Sequence, residues 1–344
     1  MLQCNHYRQV IGEGKDAAAR QRLLRDKLSV FANPAAWQGD NSISQAPEHE
    51  VQTRSPKHDI QNTMNILSIQ SQVVYGHVGN SAAQFILQRL GHDVWSVPTV
   101  LFSNHLDRPS WTGRVLPPDD LATLIDGLDK LGVLERVDAI VTGYLGDAGN
   151  VPLVAKLVDR LRAHHSNLIY ACDPVMGDHG KLYVRPALAE GIAEELVRRA
   201  DILLPNQFEL SRLSGRDIHD HATTIAAARA LKQRSKARIV VATGAPEPSM
   251  PDSIFAIAMD DDSTWRAAGE RVEVPASGAG DSFAALFIGH YLRQRDLSQA
   301  LAAAVTGTSQ IFAATAAKAH DELVIIGSQE KWANLPAAAA TRIA

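Results

Sequence analysis

The strongest constraint in this sequence is an alternation of short apolar runs with helix-length amphipathic segments, which begins at Asn65. The strand-like runs are Asn65–Gln70, Val94–Val100, Ala139–Thr142, Leu168–Cys172, Ile202–Leu204 and Ile239–Ala242. Between them, helical spacing of apolar residues covers Gly79–Leu90, Asp119–Leu131, Val151–His164, Glu190–Arg199 and Ala222–Gln233. Strands joined through helices pair in parallel, and parallel sheets are covered on both faces. The pair Ser253–Met259 and Thr264–Val274, separated by Asp260-Asp261-Asp262, reads as an antiparallel hairpin added to that sheet. Two further helices are expected at Asp281–Arg293 and Leu297–Thr315, the second rich in Ala. The fold class is therefore α/β, a three-layer αβα arrangement with a mainly parallel central sheet and an added antiparallel hairpin.

Residues 1–62 break this pattern. They hold one amphipathic stretch, Asp16–Phe31, followed by a breaker-rich tract with Pro34, Pro47 and Pro56. Met1–Gly12 lacks the apolar core of a secretory signal, and eight basic against seven acidic residues do not fit a transit peptide. The expected organisation is a mobile N-terminal extension (1–62), one catalytic domain (63–336) and a C-terminal tail (337–344).

Composition narrows the function classes. With 45% hydrophobic residues the chain can bury a large core. Its 34 basic and 38 acidic residues give no basic excess for nucleic acid. No run of 18 uninterrupted apolar residues marks a membrane span, so no membrane partner is expected. Two cysteines, Cys4 and Cys172, are too few for a disulfide framework or a cysteine-based zinc site, which points to a reducing compartment.

The chemistry concentrates at strand ends. Ala276-Ser277-Gly278-Ala279-Gly280-Asp281-Ser282-Phe283 leads from a β pattern into an apolar helix. Small residues let a ligand approach the backbone, and the N–H groups at a helix start favour anions. Amides over Gly278, Ala279, Gly280 and Asp281 can hold a transferring phosphoryl group while the Asp281 carboxylate takes a hydroxyl proton. An ordinary capped helix with an acid in its first turn fits the octet as well. No G-x-x-x-x-G-K-[ST] occurs, and Gly76-His77-Val78-Gly79 is not a dinucleotide fingerprint. Asp173 follows one buried strand, and Glu209, in Asn206-Gln207-Phe208-Glu209, follows another. Carboxylates at the carboxyl ends of parallel strands lie where open α/β sheets gather ligands, and can hold Mg²⁺ through water. Each also has a reading as a turn or cap residue. Thr243-Gly244 adds a hydroxyl at the same edge.

In this order, the N-x-x-E and G-A-G-D motifs resemble the ribokinase superfamily of small-molecule kinases. Asn65–Ala83, Phe102-Ser103-Asn104-His105, Trp111-Thr112-Gly113, Thr142–Gly146, Cys172–Gly177 and Glu322–Pro336 narrow the likeness to the pyridoxal kinase family. The resemblance covers Asn65–Pro336, the last segment being similar to that family's C-terminal strand and tail.

It implies ATP-dependent phosphorylation of the 5′-hydroxymethyl group of pyridoxal, giving pyridoxal 5′-phosphate, with Asp281 as catalytic base. Ser71, Val78, Phe102, His105 and Tyr144 would form the acceptor pocket, with Asp281 also contacting the substrate. Leu106 stands there where the family usually has Thr, in the departing stretch Leu106-Asp107-Arg108-Pro109. A lost hydroxyl hydrogen bond is worth about 1 kcal/mol, enough to bear on vitamer preference. Asp173, Leu204, Glu209 and Thr243 would meet ATP, Asp173 and Glu209 would serve Mg²⁺, and Lys181 would sit in a short lid. The resemblance further implies a cytoplasmic homodimer, often with a monovalent cation such as K⁺. A ribokinase-like sugar kinase, a hydroxymethylpyrimidine kinase and a non-catalytic vitamer-binding protein on the same scaffold stay open as alternatives.

Overall fold

The computed structural model describes residues 63–335 and 340–344. The amphipathic stretch Asp16–Phe31 and the N-terminal extension lie outside them. Six parallel strands form the centre of a ten-stranded sheet: β1 (Asn65–Val73), β2 (Asp93–Phe102), β4 (Ala139–Thr142), β5 (Ile169–Cys172), β8 (Ile202–Leu203) and β9 (Ile239–Ala245). A short strand β3 (Gly113–Val115) pairs antiparallel with β2 at one edge. Beyond β9 the hairpin β10 (Ser253–Met259) and β11 (Thr264–Glu270) continues the sheet antiparallel, and β12 (Thr341–Arg342) ends it. The strand order is β12-β11-β10-β9-β8-β5-β4-β1-β2-β3. A separate two-stranded ribbon, β6 (Gly177–Asp178) with β7 (Lys181–Leu182), stands after β5.

The helices are α1 (Asn80–Arg89), α2 (Pro118–Lys130), α3 (Asn150–His164), α4 (Pro186–Gly191), α5 (Gln207–Ser214), α6 (His221–Ser235), α7 (Ala279–Gln294), α8 (Leu297–Ala317) and α9 (Gln329–Ala333). Strand alternation sorts them into two layers. Leu67, Ile69, Ile140, Tyr170 and Leu203 point into a core shared with α2 to α6, represented by Leu121, Val154, Leu188, Leu210 and Leu231. Ile66, Ala139, Val141, Ala171 and Ile202 point the other way, into a core with α1, α7 and α8, represented by Ile86, Phe287 and Leu301. This is the three-layer αβα architecture with its added hairpin.

α8 has the length and apolarity to cross a bilayer, a property that the interrupted sequence pattern hides. More than half of it is buried, with Leu301, Ala304 and Val305 inside the second core. The segment Glu190–Arg199 is helical, but the helix starts earlier, at Pro186, and passes into a π-helical turn, Ile192–Leu196. Pro at the first helical position loses nothing by lacking an N–H, which explains the earlier start.

Glu322–Pro336, similar in sequence to a C-terminal strand, is not a strand here. It makes a 3-10 turn at Ile326–Ser328 and then α9. Leu323 and Ile325 alternate as in a strand, yet both are buried under the second layer, away from the sheet edges at β3 and β12. Trp332, fully buried, closes this segment by donating Nε1–H to the Ile325 carbonyl at 2.8 Å. Of 337–344, expected as a tail, the described residues 340–344 return to the sheet. The Ile343 amide donates to the Thr264 carbonyl at 2.8 Å, and the Ile343 side chain packs beside Phe255 and Ile257.

Trp332→Ala removes that plug from between Phe85 and Ile325, and large-to-small changes of this kind cost about 3–5 kcal/mol. Urea unfolding should show a lowered midpoint with an unchanged slope. An unchanged midpoint would mean that α9 is not part of the cooperative core.

Candidate active site

The carboxyl ends of the parallel strands share one edge of the sheet, and the chain order reverses there between β1 and β4, where open α/β folds bind ligands. The first strand ends in a bulge between Gln70 and Gln72 that contains Ser71, a buried residue. Beneath it a polar network fixes the turn: Gln70 donates to Ser68 at 2.8 Å, Ser68 to Asn80 at 2.7 Å, and Asn80 back to the Gln70 carbonyl at 3.1 Å. Gly79 (φ +52) lies against Ser71 so closely that a Cβ would overlap the Ser71 carbonyl and hydroxyl oxygens.

The predicted acceptor-pocket residues come together in part. Phe102, with Val73 and Val100, forms a small apolar cluster onto which Val78 and Tyr144 pack. The Tyr144 carbonyl accepts from Thr99 at 2.7 Å, which fixes the loop after β4. Trp111 lies against Phe102 with ring centroids 4.7 Å apart and planes tilted by 44°, a wall that periodicity does not single out. The loop Ser103–Thr112 is stapled internally: Thr112 N–H donates to Ser103 Oγ at 2.9 Å and Asn104 Nδ2 to the Ser110 carbonyl at 2.8 Å. His105 is buried, with Nε2 3.0 Å from Glu322 Oε1, whereas Leu106 is 48% exposed.

Gly278 begins α7 in the left-handed region (φ +100), and no side chain caps the helix. A Cβ on Gly278 would overlap the His77 carbonyl oxygen, so the helix start is pressed against the acceptor loop between β1 and α1. The first amides of α7 have no acceptor within the helix, and with the helix dipole they form an anion site. Asp281 lies in the first turn, near the Gly79 amide. Burial pushes its carboxyl above the ordinary value, and that amide opposes the shift.

On the other side of the edge stand Asp173 and Glu209. Glu209 closes a capping box with Asn206: its amide donates to Asn206 Oδ1 and its Oε2 accepts from the Asn206 amide, both at 2.9 Å. Its Oε1 also accepts from the Met176 amide at 2.9 Å, tying α5 to the turn that carries Asp173. The cap reading and the ligand reading thus share one side chain, since each carboxylate oxygen keeps a further lone pair. Burial pushes Glu209 up to about 7, against the amides of Asn206, Met176 and Gly177. Burial, then the charges of Glu209 and Asp281, raise Asp173 well above its usual value. Three carboxylates from three strand ends therefore feel one another across a partly desolvated space. No group of three His, Cys, Asp or Glu side chains among the described residues forms a complete metal ligand set.

Tyr183, just past β7, is a residue that motif reading misses. Partial burial, then the charges of Glu209, Asp173, Asp281 and Asp178, raise its phenol, while the residue stays 58% exposed at the rim of the edge. Lys181 of the ribbon is exposed. Thr243 joins the edge through a bridge to Asn206, its amide donating to the Pro205 carbonyl at 3.0 Å. Leu204, expected beside the nucleotide, is 3% exposed and belongs to the core layer beneath the edge.

Comparisons with known proteins bear on fold and family. A family model described as phosphomethylpyrimidine kinase matches residues 126–323. Pyridoxal kinase PdxY of Corynebacterium diphtheriae is 40% identical over 273 residues, covering 79% of this chain and 96% of the relative. Pyridoxal kinase PdxY of Deinococcus radiodurans is 42% identical over 275 residues, 78% and 92% of the two chains. Among solved structures, the pyridoxal kinase of Leishmania donovani in complex with ADP and pyridoxamine superposes with a TM-score of 0.75 at 29% identity. It covers 82% of this chain and 100% of that one. The same enzyme with ADP and pyridoxine gives 0.76 at 28% identity, covering 81% and 99%. Fold and site together define a small-molecule phosphotransferase of the ribokinase superfamily. Within it, the chain belongs to the pyridoxal kinase family.

The two outer glycines of the helix start make opposite predictions. Gly278→Ala forces a left-handed residue with a side chain into the His77 carbonyl, costing about 1–2 kcal/mol for the backbone alone. A Cβ on Gly280 meets nothing within 4 Å, so Gly280→Ala should match or exceed the parent in urea unfolding, while Gly278→Ala falls below it. Equal midpoints for the two variants would contradict the close approach.

Proposed function

We propose that this chain transfers the terminal phosphoryl group of ATP to the 5′-hydroxymethyl group of pyridoxal, giving pyridoxal 5′-phosphate. The observation that carries the reading is Asp281, held in the first turn of an uncapped helix whose Gly278 start is pressed against the His77 carbonyl of the loop between β1 and α1. In that position one residue reaches both the transferred group and the hydroxyl that receives it.

Val78, Phe102 and Tyr144 give the vitamer ring an apolar bed, and Ser71 and His105 offer polar contacts at its margin. Amides at Gly278, Ala279 and Gly280 hold the phosphoryl oxygens, where their fixed dipoles need no reorganisation during transfer. Asp281 takes the proton of the primary alcohol as its oxygen attacks in line. Asp173, Glu209 and Thr243 face the nucleotide, and Tyr183 covers the phosphates.

Half-buried Asp173 and buried Glu209 fit a hydrated Mg²⁺. Glu209 is already oriented by two amides, the Asp173 carboxylate accepts no hydrogen bond among the described residues, and burial raises both. A Mg²⁺ held there with ATP would neutralise phosphate charge. A monovalent cation such as K⁺ accompanies the nucleotide in this reading.

The catalytic body is residues 63–336, with residues 1–62 standing outside it. Its assembly is a cytoplasmic homodimer. Exposed Val74, Tyr75, Leu101, Trp111 and Val115 gather at the β1 end and the β2–β3 edge, an apolar area and open strand of the kind that dimerisation covers.

Hydroxymethylpyrimidine phosphorylation is the second reading, favoured by the description of the family model over 126–323. That match leaves out the acceptor segments Asn65–Gly113, where the ring would bind. A panel of pyridoxal, pyridoxine, pyridoxamine, hydroxymethylpyrimidine and ribose with ATP should give the highest kcat/KM for a B6 vitamer. Highest turnover of the pyrimidine or the sugar would overturn the assignment.

The pH profile carries a further sign. Asp281 is raised above the ordinary 3.8, so its proton-accepting form is lost on acidification earlier than a free aspartate's. The acid limb of kcat/KM for pyridoxal should fall at a midpoint above 3.8 and disappear from the residual activity of Asp281→Asn. A limb that persists in the variant would assign it to another group.

A further inference from the structure

The stretch Leu106-Asp107-Arg108-Pro109, which departs from the family pattern, is where the structure places an unusual charged cluster. Glu322 is 2% exposed, a rare position for a carboxylate. Its Oε1 meets Nε2 of His105 at 3.0 Å and Nε of Arg108 at 3.1 Å, and Arg108 makes a second, shorter contact to it through Nη2. Arg108 also donates to Asp321 Oδ2 at 2.7 Å and to the Asp321 carbonyl at 3.0 Å, while its guanidinium lies 5.5 Å from the Tyr75 ring centroid. On its other flank the same loop is tied to the helix start, with Ser277 Oγ donating to Asp107 Oδ2 at 2.6 Å. His105 Nδ1 is 3.8 Å from that Asp107 oxygen and makes no hydrogen bond among the described residues. Gly76 completes the packing, since a Cβ there would come within 2.6 Å of Glu322 Oε2.

Beside a carboxylate that already accepts from Arg108, His105 Nε2 carries the proton, so Glu322 sets both the tautomer and the ring plane. A guanidinium fork on two acidic residues fixes orientation as well as distance. We propose that Glu322 is a positioning residue for phosphoryl transfer, acting through Arg108 and His105 to hold the acceptor loop Asn104–Pro109 against the helix start that carries Asp281. This rests on the proposed kinase reading for its kinetics, though not for its mechanical content. Asp107 and Arg108 both lie in the stretch Leu106 to Pro109 that departs from the family pattern on the acceptor side, so the latch tailors that side rather than the nucleotide side.

The test measures KM for pyridoxal and KM for ATP separately in Glu322→Gln, Arg108→Ala and the double variant. Glu322→Gln should raise the pyridoxal KM at least tenfold and leave the ATP KM within twofold. Arg108→Ala should raise it at least threefold, and the double variant should exceed Glu322→Gln by less than twofold, because both act through one contact. A purely structural role would lower kcat through loss of active protein with both KM values unchanged, and that result overturns the proposal, as does no change at all. Should Glu322→Gln fail to fold, Asp107→Asn, at an exposed site, must raise the pyridoxal KM at least threefold, and an unchanged value overturns the proposal. Amide hydrogen exchange in Arg108→Ala supplies a readout independent of activity: amides of Ser103–Ser110 should exchange at least tenfold faster, with those of β5 unchanged. If the parent protein phosphorylates no vitamer while the loop still loosens, the kinase reading falls and the latch stands. If the parent is active and neither exchange nor KM moves, the latch falls.

Discussion

The site depends on one close approach of backbone to backbone. Gly278 begins α7 with φ +100, directly against the His77 carbonyl, and in the same loop Gly79 lies against Ser71 with φ +52. Two glycines are needed because no Cβ fits at either point. The approach of Gly278 to His77 brings the start of α7 onto the loop that leaves β1. Without it, Asp281 and the acceptor pocket would belong to separate ends of the sheet edge. The αβα layers supply the rigid platform, since β1 pairs with both β2 and β4 and is buried on both faces.

Electrostatics follow from the same geometry. Residues 63–344 carry 26 basic and 31 acidic residues, so an anionic nucleotide finds no bulk positive field. The edge itself is acidic, with Asp173, Glu209 and Asp281 raised by burial and, at Asp173, by their mutual charges. On the proposed reading, phosphates at such a site would be met by oriented amides and a cation rather than by the Lys-bearing phosphate loop that the sequence lacks. On the acceptor side the charge is instead closed internally, by Arg108 and His105 around Glu322.

Much of this was legible in the sequence, for definable reasons. Ala139–Thr142 is a strand with the predicted bounds because a four-residue apolar run between breakers has one way to be buried. The helix start at Gly278–Asp281 was visible because small residues and an acid before an apolar run have a local signature. Helix α5 was visible only as an Asn206 cap, since eight residues carry too little periodicity. The strand expected in Glu322–Pro336 came from resemblance alone, and packing around Trp332 decides the described part of it otherwise. Glu322 belongs to that matched segment, but its partners His105 and Arg108 lie more than 200 positions away, beyond the reach of local patterning.

The central claim is that a single carboxylate at the start of α7 serves the proton transfer without serving binding. Rapid-quench single-turnover measurement on Asp281→Asn, with ATP and pyridoxal affinities determined by titration calorimetry, tests it most directly. The account predicts affinities within a few-fold of the parent and a phosphoryl-transfer rate lower by about 10²–10⁴, the range for a general base. A near-parental transfer rate in that variant, with both ligands bound, would contradict it.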